Sequence, residues 1–358
     1  MSIESSSCSW QEGLYDGEVY VSGEQPEIMG LIKLNSNENP FPPAPEVLQA
    51  IVEFDARALR FYPKGDGSPL RKTLADIYGF NDSNIFIGNG SDDVLALAFK
   101  ACFGKNKPIL FPDISYSFYP IWAKFFGIDF ETVPLDESFR IVPEDYAKEN
   151  GGVVIANPNA PTSIGEGREF IEEILKNNED SVVIIDEAYA AFGGFSAGEL
   201  VHEYDNLLVV RSFSKSRSLA GLRLGYAIGS DLLIKTLISV KDSFNSYPVD
   251  SITIAAGMAA IESEDYFRMS IAKIREVREK TAEQLKGLGF KVLPSSTNFI
   301  FITHERVEAK VLFNYLRMKN ILVRYFDKPR IDNYLRITIG TSDEMETLLE
   351  ETANFFQS

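Results

Sequence analysis

A lysine just past a buried strand, among hydroxyls and close to an arginine, can act as an amine nucleophile beside a bound anion. The chain offers one in Arg211-Ser212-Phe213-Ser214-Lys215-Ser216, which follows the apolar run Leu207-Leu208-Val209-Val210. Arg223 follows eight residues later, inside Leu219-Ala220-Gly221-Leu222-Arg223-Leu224-Gly225-Tyr226. Serines and a guanidinium are suited to holding an anion. Desolvation and a neighbouring cation would lower the amine's proton affinity, as an imine-forming lysine requires. Taken alone, a solvated lysine in a polar loop is the commoner case.

Three further motifs fall at strand ends. Asp186 closes Val182-Val183-Ile184-Ile185, at the edge where open α/β sheets bind ligands. A carboxylate there is costly unless paired, and it either caps the next turn or meets a cation. Ile85-Phe86-Ile87-Gly88-Asn89-Gly90-Ser91-Asp92 runs from a strand into a helix. Its glycines allow close approach and its helix end offers free N–H groups to an anion, although an ordinary βα turn would look the same. Asn157-Pro158-Asn159-Ala160-Pro161-Thr162 follows Val153-Val154-Ile155-Ala156 and either orients donors over a ring or is only a rigid turn. Each motif is ambiguous, but together they supply a Schiff-base amine, an anion opposite a ring nitrogen and donors for a phosphate. Those are the needs of pyridoxal phosphate. No P-loop precedes the lysine, and Gly88-Asn89-Gly90 lacks the third glycine of a dinucleotide fingerprint.

The elements that must position these groups alternate. Strands are predicted at 85–87, 108–111, 153–156, 182–185, 207–211 and 224–228, and helices at 45–58, 69–78, 92–103 and 167–177. That is the pattern of an α/β fold, a mostly parallel sheet sandwiched by helices. A long helix over 264–287 then opens a smaller α+β unit with strands 298–302 and 334–338 and helices 307–319 and 343–356. The predicted organisation is an arm over 1–45, a large unit over 46–245 and a small one over 246–358.

With 358 residues, 45% of them hydrophobic, the chain can bury more than one core. Its net charge of −17 argues against nucleic acid or an anionic membrane as partner. An anionic substrate would therefore need a local arginine cluster, because salt screens the global field beyond about 8 to 10 Å. Two cysteines, Cys8 and Cys102, and two histidines, His202 and His304, leave little material for a disulfide framework, a metal site or a His-based triad. No run is long enough to span a membrane. A reducing cytoplasm is the expected location.

Asp186-Glu187-Ala188-Tyr189, Ser212-Phe213-Ser214-Lys215 and Leu219 to Gly225 together resemble the fold type I pyridoxal-phosphate enzymes, and among them the class II-like aminotransferases. Leu34-Asn35-Ser36-Asn37-Glu38-Asn39-Pro40, Arg60-Phe61-Tyr62-Pro63 and Tyr334-Leu335-Arg336-Ile337-Thr338-Ile339-Gly340 resemble the histidinol-phosphate aminotransferase family. That resemblance implies a large domain, a smaller C-terminal domain and a homodimer acting on small amino and keto acids. It implies that Lys215 forms the Schiff base, Asp186 pairs with the ring nitrogen, Tyr189 bonds the ring oxygen and Tyr116 stacks on the ring. Gly90, Ser91, Asp92, Ser212, Ser214 and Arg223 would surround the phosphate, with Tyr62 arriving from the partner subunit. Arg336 would take a substrate carboxylate, while Tyr20 and Arg324 lie near a substrate phosphate and Asn35 near the substrate.

The chain departs from the family's N-P-N-N-P-T-G loop at Ala160 and Ser163. Either the donor to the ring oxygen is missing here, or Asn157 or Asn159 substitutes. The implied reaction is histidinol phosphate with 2-oxoglutarate. Rivals on the same scaffold are threonine-phosphate decarboxylase and aromatic or branched-chain aminotransferases. A pyridoxal-phosphate-sensing regulator would carry a DNA-binding module, for which this acidic chain has no room.

Overall fold

Runs such as Val183-Ile184-Ile185 have no polar face to offer water, so they pair on both edges inside a sheet covered on both sides. A computed structural model describes residues 14–21, 23–104 and 106–357. After a two-residue strand β1 (Ile32–Lys33), seven strands build the main sheet. They are β2 (Ile85–Gly88), β3 (Ile109–Pro112), β4 (Phe130–Val133), β5 (Gly152–Ala156), β6 (Val183–Asp186), β7 (Leu207–Ser212) and β8 (Gly225–Gly229). Their order is β2-β8-β7-β6-β5-β3-β4. Only β8 runs against its neighbours, β2 and β7.

Period-two alternation divides the core. Val153, Ile155, Val183, Ile185, Leu207 and Val209 enter one apolar cluster, while Val154, Ala156, Ile184, Leu208 and Val210 enter the other. Helices α1 (Pro45–Val52), α2 (Ser68–Tyr78), α3 (Ser91–Cys102), α4 (Tyr119–Phe126), α5 (Arg168–Lys176), α6 (Asp231–Phe244) and α7 (Ser251–Glu262) cover these faces. In α5, Ile171, Ile174 and Leu175 recur at helical spacing and are all buried. In α2 the chain stops at Gly79, whose φ of 72° makes the left-handed cap that glycine tolerates best. The predicted helix over 45–58 ends at Val52 and continues as a separate turn over 56–60.

The remaining elements are α8 (Glu264–Gly287), β9 (Lys291–Val292), β10 (Phe299–Thr303), α9 (Ala309–Met318), β11 (Ile321–Leu322), β12 (Arg324–Tyr325), β13 (Leu335–Thr338) and α10 (Ser342–Phe355). They form an antiparallel sheet, β12-β13-β10-β9, over a third apolar cluster. β1 pairs in parallel with β11, and Thr338 N donates to Leu34 O, so the arm is stitched into this second sheet. Among the described residues no helix is long and apolar enough to cross a membrane. Cys102 is unpaired, and Cys8 lies outside the described residues.

One glycine fixes how closely β8 approaches the start of α3. A Cβ at Gly225 would lie 2.4 Å from Ser91 N and 2.5 Å from the Gly90 carbonyl carbon, both of them backbone. Gly225→Ala should therefore destabilise the fold by about 1 to 3 kcal/mol, read as a lower urea midpoint at unchanged slope.

Candidate active site

The strand alternation that sorts the core also aims the acids. Asp186 continues the face of Ile184, and Glu187 turns to the opposite one. Glu187 is satisfied there by Arg211 at 2.9 Å, Ser196 Oγ at 3.0 Å and the Ala197 amide. Asp186 faces a cavity of about 860 Å³ beyond the carboxyl ends of β5, β6 and β7. One of its oxygens accepts the Ala188 amide at 3.1 Å and the other the Tyr119 hydroxyl at 2.9 Å. Burial pushes its carboxyl up to about 6, against those two donors.

Across the cavity, α3 starts at Ser91 with no side chain capping its free N–H groups. Gly90 holds φ at 87°, and a Cβ there would sit 2.6 Å from an Arg223 amino nitrogen. Arg223 donates to Asp92 at 3.1 Å and to Ser214 Oγ at 3.4 Å, while the Tyr116 hydroxyl donates to the other Asp92 oxygen at 2.8 Å. Ser212 Oγ accepts the Ser214 amide. Backbone donors, two serines and a guanidinium thus converge on one spot, the chemistry of an anion cup.

Between cup and carboxylate lies Lys215, whose Nζ donates to Ser36 O at 3.0 Å. Burial first, and Arg336 and Arg223 after it, lower its proton affinity to about 8 although Glu38 and Asp92 oppose them. The arm holds the rest of this wall. Asn37, at φ 55°, donates to the Tyr189 hydroxyl at 2.8 Å, and Arg336 donates to Asn35 O at 2.9 Å. Arg324 and Arg336 are directly opposed in register between β12 and β13, and both line the cavity. Like charges in such positions repel. Yet among the described residues neither forms an ion pair, Asp327 and Asp332 included, and the buried Arg336 Nε has no partner. Burial, and Arg324 less strongly, lower the proton affinity of Arg336 without discharging it. Tyr20 stacks on Phe118 at 4.3 Å at the same wall.

Most of the residues named from the sequence therefore meet in one cavity: Tyr20, Asn35, Ser91, Asp92, Tyr116, Asp186, Tyr189, Ser212, Ser214, Lys215, Arg223, Arg324 and Arg336. Gly90 lies just behind the wall, against Arg223. Asn157 and Asn159 do not line the cavity. Asn157 exchanges both amide bonds with the Glu166 backbone, and Asn159 is consumed by Ile114 O, Thr162 and Ser115. The wall at that point is Ala156, Pro158 and Ala160. Of the two alternatives for position 160, this arrangement favours a missing donor, since both asparagines brace the loop. Tyr62 lies away from this cavity, 82% exposed and stacked on Tyr247 at 4.8 Å. Sequence reasoning missed Tyr119 and Asn37. The first carried no signal beyond lying three residues from Tyr116, in the turn before α4.

The model of the aminotransferase class I and II family matches residues 30–351. A histidinol-phosphate aminotransferase of Acinetobacter baylyi is 51% identical over 343 residues, 95% of each chain. The solved histidinol-phosphate aminotransferase of Sinorhizobium meliloti, in complex with pyridoxal-5'-phosphate, superposes with a TM-score of 0.82 at 25% identity over 89% of each chain. An L-threonine-O-3-phosphate decarboxylase of Porphyromonas gingivalis superposes with a TM-score of 0.80 at 21% identity, over 92% of this chain and 100% of that one. It shares the fold. Pyridoxal 5'-phosphate is the cofactor, and the residues present fit it: a glycine-walled cup for a dianion, a buried acid opposite, and an amine of lowered basicity between.

The lysine's environment predicts a pH profile. Only the neutral amine reacts, so in cofactor-free protein Lys215 should reach half-maximal reductive methylation near pH 8, against about 10.4 for an ordinary lysine. Arg336→Met removes a lowering cation and should move that midpoint upward. Peptide mass spectrometry across pH reads both.

Proposed function

The chain belongs to the class I and II aminotransferases, and from that premise we propose that it transfers an amino group between histidinol phosphate and 2-oxoglutarate in histidine biosynthesis. The observation that carries the substrate class is the pair of opposed, unpaired guanidiniums, Arg324 and Arg336, at one wall of the cavity. Two cations held together without a carboxylate call for an anionic ligand on each. In this reading Arg336 takes the carboxylate of glutamate or 2-oxoglutarate. Arg324, Tyr20 and Asn35 face the phosphate end of the other substrate.

When bound, pyridoxal phosphate supplies an electrophilic carbon for amines and a ring that accepts electrons. Gly90, Ser91, Asp92, Ser212, Ser214 and Arg223 would hold its phosphate, and Tyr116 would lie against its ring. Asp186 would hold a proton on the ring nitrogen. Tyr189, oriented by Asn37, is left as the donor to the ring oxygen, since Ala160 offers none and Asn157 and Asn159 do not line the cavity. Lys215 would anchor the cofactor and then move the proton at the substrate's Cα, a task suited to an amine titrating near 8. Catalysis by the group at this position thus depends on a base whose hold on its proton is weakened by burial.

The same reading makes the protein a cytoplasmic homodimer, divided into an arm over 1–45, a cofactor-holding unit over 46–245 and a smaller unit over 246–358. Support for the dimer is the exposed cluster Leu59, Phe61, Tyr62, Phe244 and Tyr247, a surface suited to a second copy. From it Tyr62 would reach the partner's phosphate cup.

Two outcomes are expected. Wild-type protein should convert histidinol phosphate without releasing carbon dioxide. Arg324→Ala should lower kcat/KM for histidinol phosphate by about 10- to 100-fold and affect glutamate less, with Arg336→Ala reversing the ranking. Carbon dioxide release, or an Arg324 variant indifferent to the phosphate substrate, would discard the assignment. Mixing Lys215→Ala with Tyr62→Phe protein and letting subunits exchange should give activity above the mean of the two parents. Fully active monomer in sedimentation would discard the dimer.

A further inference from the structure

Asp186 has two fixed neighbours, and only one of them is a side chain. Tyr119, the first residue of α4, is fully buried and donates its hydroxyl to Asp186 at 2.9 Å. Rings enclose it: Phe99 at 6.1 Å, Phe111 at 5.8 Å, Tyr116 at 5.7 Å and Trp122 at 6.3 Å between centroids. The phenol is therefore held in one orientation by packing. Burial and the adjoining carboxylate push its ionisation well above the usual tyrosine range, so it remains a donor.

The carboxylate needs such a donor. Besides burial, the charges of Asp92 and Glu187 both act to raise its proton affinity, and the Tyr119 hydroxyl, then the Ala188 amide, act to lower it. With these two donors in place, the plane of the carboxylate is fixed and its remaining lone pairs face the cavity.

We propose that Tyr119 is a positioning residue of the reaction, whose hydroxyl aims the Asp186 carboxylate into the cavity and makes it the weaker base of any pair it forms there. The inference rests on the reading of Asp186 as the partner of the ring nitrogen. A donor on one of the acid's oxygens weakens its hold on a shared proton, so the proton would reside on the nitrogen. Tyr116 does the same at the cup, where it clamps Asp92 beneath Arg223. The turn that leads into α4, Tyr116 to Tyr119, thus serves both ends of the site.

Tyr119→Phe preserves the ring and its cage. In cofactor-free protein, the Asp186 carboxyl carbon followed by 13C NMR should titrate near 6 in wild type, and about one unit or more higher in the variant. In the loaded enzyme kcat should fall about 10- to 100-fold, with KM for both substrates and cofactor affinity within about threefold of wild type. Replacing Tyr119 by 3-fluorotyrosine, a stronger donor of nearly the same shape, should lower the Asp186 midpoint and keep kcat near wild type. That variant also serves if the phenylalanine protein fails to fold. An unchanged midpoint in either variant, or unchanged kcat in Tyr119→Phe while Asp186→Ala is inactive, overturns the role of Tyr119. Near-normal turnover in Asp186→Ala overturns the reading of the site itself.

Discussion

Two neighbouring carboxylates at the end of a central strand must each be removed from water, and the structure is arranged around how that is done. Side-chain alternation sends Asp186 and Glu187 to opposite faces of the sheet. Glu187 receives a guanidinium, a hydroxyl and an amide, and becomes a fixed internal tie between β6 and β7. Among the described residues Asp186 receives two neutral donors and no cation. A buried anion left in that condition is poised for a cationic ligand, and the cavity lies where such a ligand would sit. The amine of Lys215 and the cup of Ser91, Ser214 and Arg223 are then placed by the adjacent strand ends of the same sheet.

The arm completes what the sheet begins. Backbone carbonyls of Asn35 and Ser36 accept from Arg336 and Lys215, while the Asn37 side chain orients Tyr189. Three consecutive residues therefore steer three functional groups. They can do so because residues 32–37 are themselves held by β11 and β13, through main-chain bonds at 32–34 and through the Thr338 hydroxyl, which accepts the Asn37 amide. A segment without regular structure acquires the precision of a strand from the sheet it leans on.

Much of this could be read from the chain, and the reason is physical. Lys215, Asp186 and the Gly90-Ser91-Asp92 turn each sit next to an apolar run of β-branched residues, so burial and strand direction point at them. The central strands and α5 announce themselves by period. Elements with weaker patterns escaped: β4 is an edge strand with two of its four residues exposed, and α7 is apolar all round, which hides its helical phase. Side-chain partners across the fold left less trace. That Asn157 and Asn159 brace their own loop, and that Tyr119 meets Asp186 across 67 positions of sequence, depends on packing that no local pattern encodes. Tyr62 is exposed and stands outside the lining of the chain's own cavity, a placement its local sequence does not fix.

The two arginines differ in one respect that bears on how such a protein changes over generations. Arg336 lies on an inner strand, flanked by Phe299 and Phe326 and tied to the arm, so replacing it disturbs the second core. Arg324 occupies a two-residue strand at the sheet's margin, with few neighbours to satisfy. Under the proposed reading, recognition of the shared amino donor is anchored where mutation is costly, and recognition of the distinctive substrate is placed where mutation is cheap. New specificities on this scaffold would then arise by drift at the margin while the donor half of the cycle stays inherited.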